Sequence, residues 1–303
     1  MSTVTKIKGT FDNDKLPVLT SEGLKNYYYG KYINGLAGQG YTLTVSQKTA
    51  VENFINFLTE NDLIKYIQTI FPFIGNSANP KGAKVPMIGD KLLDFADNYD
   101  GLVYDSTDII GINKNPKVDT LKLGDVQPDK NLVGAAFSLN KKSTSGATDY
   151  NDRFMLFSDS AYNLRLQSGN PVSAHVTDKF CMYYRLASSG NSGTSVINDG
   201  YTDAQREAAG SWYGMNIFKN PAGYCRVFDI GGVVKGADST TYSTYAPALT
   251  DADLQSTLIA NTTFTNINAL TSITFFKDIM TYDEGVAYIS ALKTFITALG
   301  RHV

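Results

Sequence analysis

Apolar residues recur at helical spacing near both ends of this chain and in short strand-like runs between them. From Thr44 the pattern is helical. Val51, Phe54, Ile55 and Leu58 form one stripe, and Thr44 with Gln47 spells the capping box that starts it. Asn61-Asp62 breaks the stripe. Leu63, Tyr66, Ile67 and Ile70 then predict a second short helix, closed at Phe71-Pro72 because the residue before a proline avoids the α region. At the other end, Thr281 and Glu284 form a second capping box. Ile289, Leu292, Phe295, Ile296 and Leu299 make one apolar face, and Gly300 stands where a helix C-cap favours positive φ. A capped amphipathic helix here is expected to fold back and cover a β-rich body.

Between these ends, strands are predicted at 101–104, 132–139, 154–158, 163–167, 179–187, 212–218, 223–230 and 272–278. Lys219-Asn-Pro-Ala-Gly223 reads as a hairpin, and the Ser- and Gly-rich stretches 141–147 and 188–194 as loose connections. Short helices are expected to open at Thr202 and Thr250, each a capping Thr followed by acids. Many short strands without alternating long helices predict an antiparallel sandwich. The expected organisation is an N-terminal arm over 1–43, a helical segment over 44–75, a β-sandwich over 76–280 and a C-terminal helix over 281–303. The arm holds a dense aromatic cluster of Tyr27, Tyr28, Tyr29 and Tyr32. It reads either as an arm packed on the main domain or as an anchor that docks another protein, since Tyr is enriched in interface cores.

Composition sharpens this picture. Of 303 residues, 43% are hydrophobic and only 18% charged, which favours a β-rich, loop-rich protein over a helical enzyme. The formal net charge is -2 and the 27 Lys and Arg are scattered, so no phosphate-neutralising face is present for nucleic acid. No apolar run approaches the ~20 residues of a membrane span, and the first residues lack the apolar core of a signal peptide. Cys181 and Cys225 both fall in predicted strands. A cross-strand disulfide is one reading; two buried thiols are the commoner outcome in a reducing cytoplasm.

Candidate chemistry is sparse. The two histidines, His175 and His302, leave little room for a triad or a multi-His zinc site. Nucleophile-elbow, zincin, Walker and dinucleotide-binding motifs are missing. A glycosidase would need two carboxylates in one cleft, yet Glu207 and Glu284 both fall in predicted helices. No enzymatic activity is therefore expected, although a carbohydrate-active depolymerase on a β-sandwich is the alternative, with a free glycan-binding adhesin module beside it. Asp94, Asp97 and Asp100 are candidate Ca2+ ligands, against the plainer reading of loop aspartates that stabilise turns. Trp212 and Tyr213 are candidate glycan-stacking residues, although a lone tryptophan opening a strand more often belongs to a core.

Two stretches carry a family resemblance. The first runs Gly40-Tyr-Thr-Leu-Thr44, Ala50-Val51, Phe54-Ile55, Leu58, Leu63-Ile64, Tyr66-Ile67 and Ile70-Phe-Pro-Phe-Ile-Gly75. The second is the helix from Thr281 through Ala291-Leu292 and Phe295 to Leu299-Gly300-Arg301. Both resemble tailed-phage virion proteins that carry a concanavalin-like (LamG-type) β-sandwich, a family common among crAss-like and other phages of gut Bacteroidales. The resemblance implies a jelly-roll sandwich flanked by helices, built into a capsid fibre, head decoration or tail appendage. It also implies other virion proteins as partners, self-association into homo-oligomers, and display of the sandwich towards host-surface glycan. The protein would be made in bacterial cytoplasm and located in the virion.

Overall fold

The computed structural model describes residues 20–93, 95, 100–112, 134–141, 153–158, 162–168, 180–186, 210–217, 224–239 and 267–301. They contain three α-helices and two antiparallel sheets. Helix α1 is Ser21–Gly38, α2 is Val45–Glu60 and α3 is Tyr282–Ala298. The larger sheet has eight strands. Six of them follow one another across it as β10 (Val233–Ser239), β9 (Tyr224–Ile230), β8 (Ser211–Ile217), β4 (Gly134–Lys141), β11 (Ile267–Phe276) and β3 (Asp108–Ile112). β2 (Leu102–Asp105) ends the row, and β1 (Ile67–Phe71) pairs with β11 off that path. A separate three-stranded meander is formed by β5 (Arg153–Ser158), β6 (Tyr162–Ser168) and β7 (Phe180–Leu186).

The expected capping boxes form at both helices. The Thr44 hydroxyl accepts from the Gln47 amide, and Gln47 Oε1 accepts from the Thr44 amide at 3.0 Å and from the Tyr41 hydroxyl at 2.9 Å. At α3 the Thr281 amide donates to Glu284 Oε2 at 2.8 Å, and the Tyr66 hydroxyl donates to Glu284 Oε1 at 2.7 Å. One side chain thus caps α3 and ties it to the segment after α2. Helix α3 lies across β8, β9 and β10, α2 packs on α3, and α1 packs on α2. Phe54 of α2 stacks on Phe295 of α3 with centroids 4.6 Å apart, and Tyr288 meets Phe276 of β11 edge to face at 5.2 Å. Such aromatic pairs add to the burial energy of the rings themselves.

Two elements differ from the sequence expectation. Ser21–Gly38 is an 18-residue helix rather than an irregular arm. Its apolar residues lack a clear stripe, because only Tyr32 and Leu36 are fully buried in it. Local signals hold it instead: the Thr20 hydroxyl accepts from the Gly23 amide, and Gly40, at φ 79°, turns the chain at the C-terminus. The Gly40 amide bonds the Ala37 carbonyl and the Tyr41 amide the Leu36 carbonyl, the paired bonds of a Schellman motif. The second difference is the predicted helix from Leu63. It is a 3-10 turn over Leu63–Tyr66 followed by strand β1. Ile67, Thr69 and Ile70 are β-branched and favour the pleated backbone over a helix. β3 and β10 are further strands beyond those the pattern predicted. The helices expected at Thr202 and Thr250 lie outside the described residues.

The central strands of the large sheet are buried on both faces. Ala136, Tyr213, Met215, Val227 and Phe276 join the helices in one apolar core. The alternate residues Phe137, Leu139, Trp212, Phe228 and Phe275 point the other way and are also almost fully buried. Gly214 sits at the centre of that second face. Its partners in register are Phe137 on β4 and Phe228 on β9, and the two rings close over it with centroids 6.4 Å apart. A Cβ on Gly214 would stand 2.6 Å from Phe137 Cε1 and 2.7 Å from Phe228 Cε1.

Two tests follow from these contacts. Gly214→Ala should lower stability by about 1–3 kcal/mol, read from the denaturant midpoint, because both rings must move. A loss under about 0.5 kcal/mol would mean that the rings do not enclose this position. Glu284 provides the second. Burial raises its pKa, but bonds from the Thr281 amide and the Tyr66 and Thr281 hydroxyls outweigh this and bring it below 4.5. Its stabilisation is therefore complete above the unfolded value and fades as pH falls through the folded one. Glu284→Gln should flatten the acid limb of a stability profile taken from about pH 7 to pH 3; an unchanged acid limb would refute this.

Candidate functional site

Where the end of α3 meets the edge of the large sheet, a buried arginine organises the backbone. Gly300, at φ 72°, follows the end of α3. Its amide bonds the Thr297 carbonyl at 2.9 Å, and the Arg301 amide bonds the Ile296 carbonyl at 3.2 Å. This Schellman motif turns the chain inward. Arg301 is only 3% exposed. Its Nη1 donates to the carbonyls of Pro72 and Thr271, the second at 3.0 Å. Its Nη2 donates to the carbonyls of Phe73 at 3.1 Å and Ile109 at 3.0 Å.

The four acceptors mark a gap in the sheet. One edge of β11 is shared by two strands lying end to end. β1 pairs with Ile273, Thr274, Phe275 and Phe276, and β3 pairs with Leu270. On the opposite edge the register to β4 shifts between Leu270 and Ser272, so Thr271 is the extra residue of a bulge. The Thr271 carbonyl therefore falls where neither β1 nor β3 can reach it. The guanidinium fills that gap and also takes a carbonyl from β3 and two from the chain leaving β1. One of these belongs to Phe73, whose φ of 48° lies in the left-handed region. That conformation costs a bulky residue about 1–2 kcal/mol.

Among the described residues the guanidinium's hydrogen-bond acceptors are all backbone carbonyls, whose dipoles solvate it. Burial lowers its pKa to about 10, against opposing influences from Tyr32, Tyr41 and Asp108, so it stays charged at neutral pH. The Tyr32 hydroxyl is fully buried and has no hydrogen-bond partner among the described residues. Burial raises its pKa, and the positive field of Arg301 opposes the rise. A second polar tie holds α3 to the β9–β10 hairpin. Lys293 pairs with Asp229 at 2.8 Å, and Asp229 also accepts from the Gly232 amide at 2.9 Å.

The residues singled out by sequence fall elsewhere. Trp212 and Tyr213 are each 1% exposed, on opposite faces of the large sheet. Both rings are spent in packing, so neither offers a face to a sugar. Tyr32 belongs to the helix–sheet core, Tyr28 and Tyr29 are partly buried against it, and Tyr27 stays 53% exposed. Tyr27 and Tyr28 meet edge to face at 5.1 Å, and the Lys31 ammonium stands 5.7 Å from the Tyr27 ring centroid while pairing with Asp90. Asp100 is exposed, whereas Asp94 and Asp97 lie outside the described residues. Among the described residues, no three His, Cys, Asp or Glu side chains come together as a metal site, and no helix is long and apolar enough to cross a membrane. His175 and His302 lie outside the described residues. Cys181 is on β7 and Cys225 on β9, strands of different sheets.

Arg301→Met keeps much of the side-chain volume and removes every donor, leaving four carbonyls without this partner. It should cost about 3 kcal/mol or more in a denaturant titration, since each lost charged hydrogen bond at a buried acceptor is expensive. A change within about 0.5 kcal/mol would show that the junction is not closed by the guanidinium. No protein-family model matches the chain, and no curated protein matches it in sequence.

Proposed function

We propose that this chain is a structural protein of a tailed-phage particle, a head fibre, capsid decoration or tail appendage that displays a β-sandwich. The observation that carries the reading is the meeting of the two stretches on which the family resemblance rests. Pro72 and Phe73 of the first stretch hand their carbonyls to Arg301 of the second, and Phe54 stacks on Phe295. The resemblance thus falls on one packed unit and not on two unrelated pieces of sequence. The doubly buried sheet supports the sandwich. Phe137, Trp212, Phe228 and Phe275 need a further layer of chain over them, and a second sheet there would complete a concanavalin-like jelly roll.

In this reading the helices close one side of the sheet and the opposite layer is displayed. The partners are other virion proteins and further copies of the chain, since appendages on symmetric particles are usually closed homo-oligomers. Exposed Tyr27 on α1 is available for such a contact. Adhesion to host-surface glycan would use residues other than Trp212 and Tyr213. Mass spectrometry of gradient-purified particles from a lysate of the phage that encodes the chain tests the assignment. The chain should co-purify with the major capsid protein at a fixed ratio. Its presence in the lysate but not in particles would remove the reading.

A further inference from the structure

We infer that Arg301 is a kinetic lock, a contact formed late in folding that governs how slowly the folded body opens. Such a lock is set by the geometry of the junction and is independent of the proposed role. Three of the four acceptors are 192, 228 and 229 residues away in sequence, and the fourth is 30 away. None can be supplied by a local turn. The carbonyl cage exists only after β1 and β3 have taken their places on the edge of β11. The guanidinium reaches it only after α3 has docked and its Schellman turn has formed. Contacts of this kind are absent from a folding transition state that precedes the final docking, so their loss accelerates unfolding and leaves refolding unchanged.

Withdrawal is hindered for a separate reason. Arg301, Phe73 and Ile109, whose carbonyls it takes, and Tyr32, whose hydroxyl lies in its field, are all nearly fully buried. Water cannot replace the four bonds one at a time while the site stays closed, so the charge must leave in a single opening. The same opening frees the left-handed turn at Phe73 and separates β1 from β3. Opening at this junction and loss of the sheet edge are therefore one event.

Unfolding and refolding rates of the full chain across a denaturant series test the lock, with Arg301→Lys and Arg301→Gln as variants. Lysine keeps the charge but cannot span four carbonyls in the plane of a fork. Both variants should unfold about tenfold faster or more and refold within about twofold of the parent. Refolding slowed as much as unfolding is accelerated, or unfolding left unchanged, would overturn the inference. A measurement on the unaltered chain covers the case in which the variants do not fold. In hydrogen exchange followed by mass spectrometry, segments 72–75, 109–112 and 296–301 should exchange in one correlated event. Segment 296–301 exchanging alone, about tenfold faster than the other two, would equally overturn it.

Discussion

The architecture depends on one guanidinium placed where three strands and a helix terminus converge. β1 and β3 share an edge of β11 without covering all of it, and the bulge at Thr271 leaves a carbonyl in the gap. A buried carbonyl without a donor costs more than an ordinary hydrogen bond contributes, so the gap must be filled. Arg301 fills it with two nitrogens and four bonds. Lysine would offer a point charge and could not match four acceptors in one plane. Oriented carbonyl dipoles replace the water that the charge gives up, and the Asp108 carboxylate also favours the charged form.

This junction explains why elements far apart in sequence act as one layer. α3 is capped at its start by Glu284, which also receives the Tyr66 hydroxyl, and is held at its end by Arg301. Between these points its apolar face lies on β8 and β9, and Lys293 reaches Asp229 beside the β9–β10 turn. The helix is thereby fixed at both ends and along its length. The central strands of the large sheet carry helices on one face and a set of buried aromatic residues on the other. Trp212 and Tyr213, each 1% exposed, turn their rings into these buried faces.

Much of this was legible in the sequence, and the misses have physical causes. The capping boxes at Thr44 and Thr281 and the strands of the large sheet's centre were readable because local chemistry and burial agree there. β1 was misread because Leu63, Tyr66, Ile67 and Ile70 also satisfy helical spacing; the β-branched run through Thr69 was the better guide. α1 was missed because its burial rests on two residues, so no stripe appears. The turn at Gly231-Gly232, with φ of 61° and 83°, is a hairpin signal that would have revealed β10. Gly300 reads as a cap and Arg301 beside it belongs to the motif that carries the family resemblance, but the burial of its guanidinium is not legible there. Nothing local tells a buried arginine from an exposed one, because its four partners are set by tertiary structure. For Trp212 and Tyr213 the sequence leaves a core and a sugar-binding surface both open, because a Trp-Tyr pair looks alike in each; the core is the commoner place for a lone tryptophan, and both residues are buried.

The most direct test of this account is nuclear magnetic resonance of the arginine side chain, with the Arg301 guanidinium assigned by substitution. A guanidinium fixed on four carbonyls should show separate Nη1 and Nη2 signals at neutral pH, because rotation about its planar bonds is blocked. Its N–H protons should also exchange slowly with water. A single averaged Nη signal with fast-exchanging protons would mean that the side chain is in solvent, and the junction proposed to organise the fold would not exist.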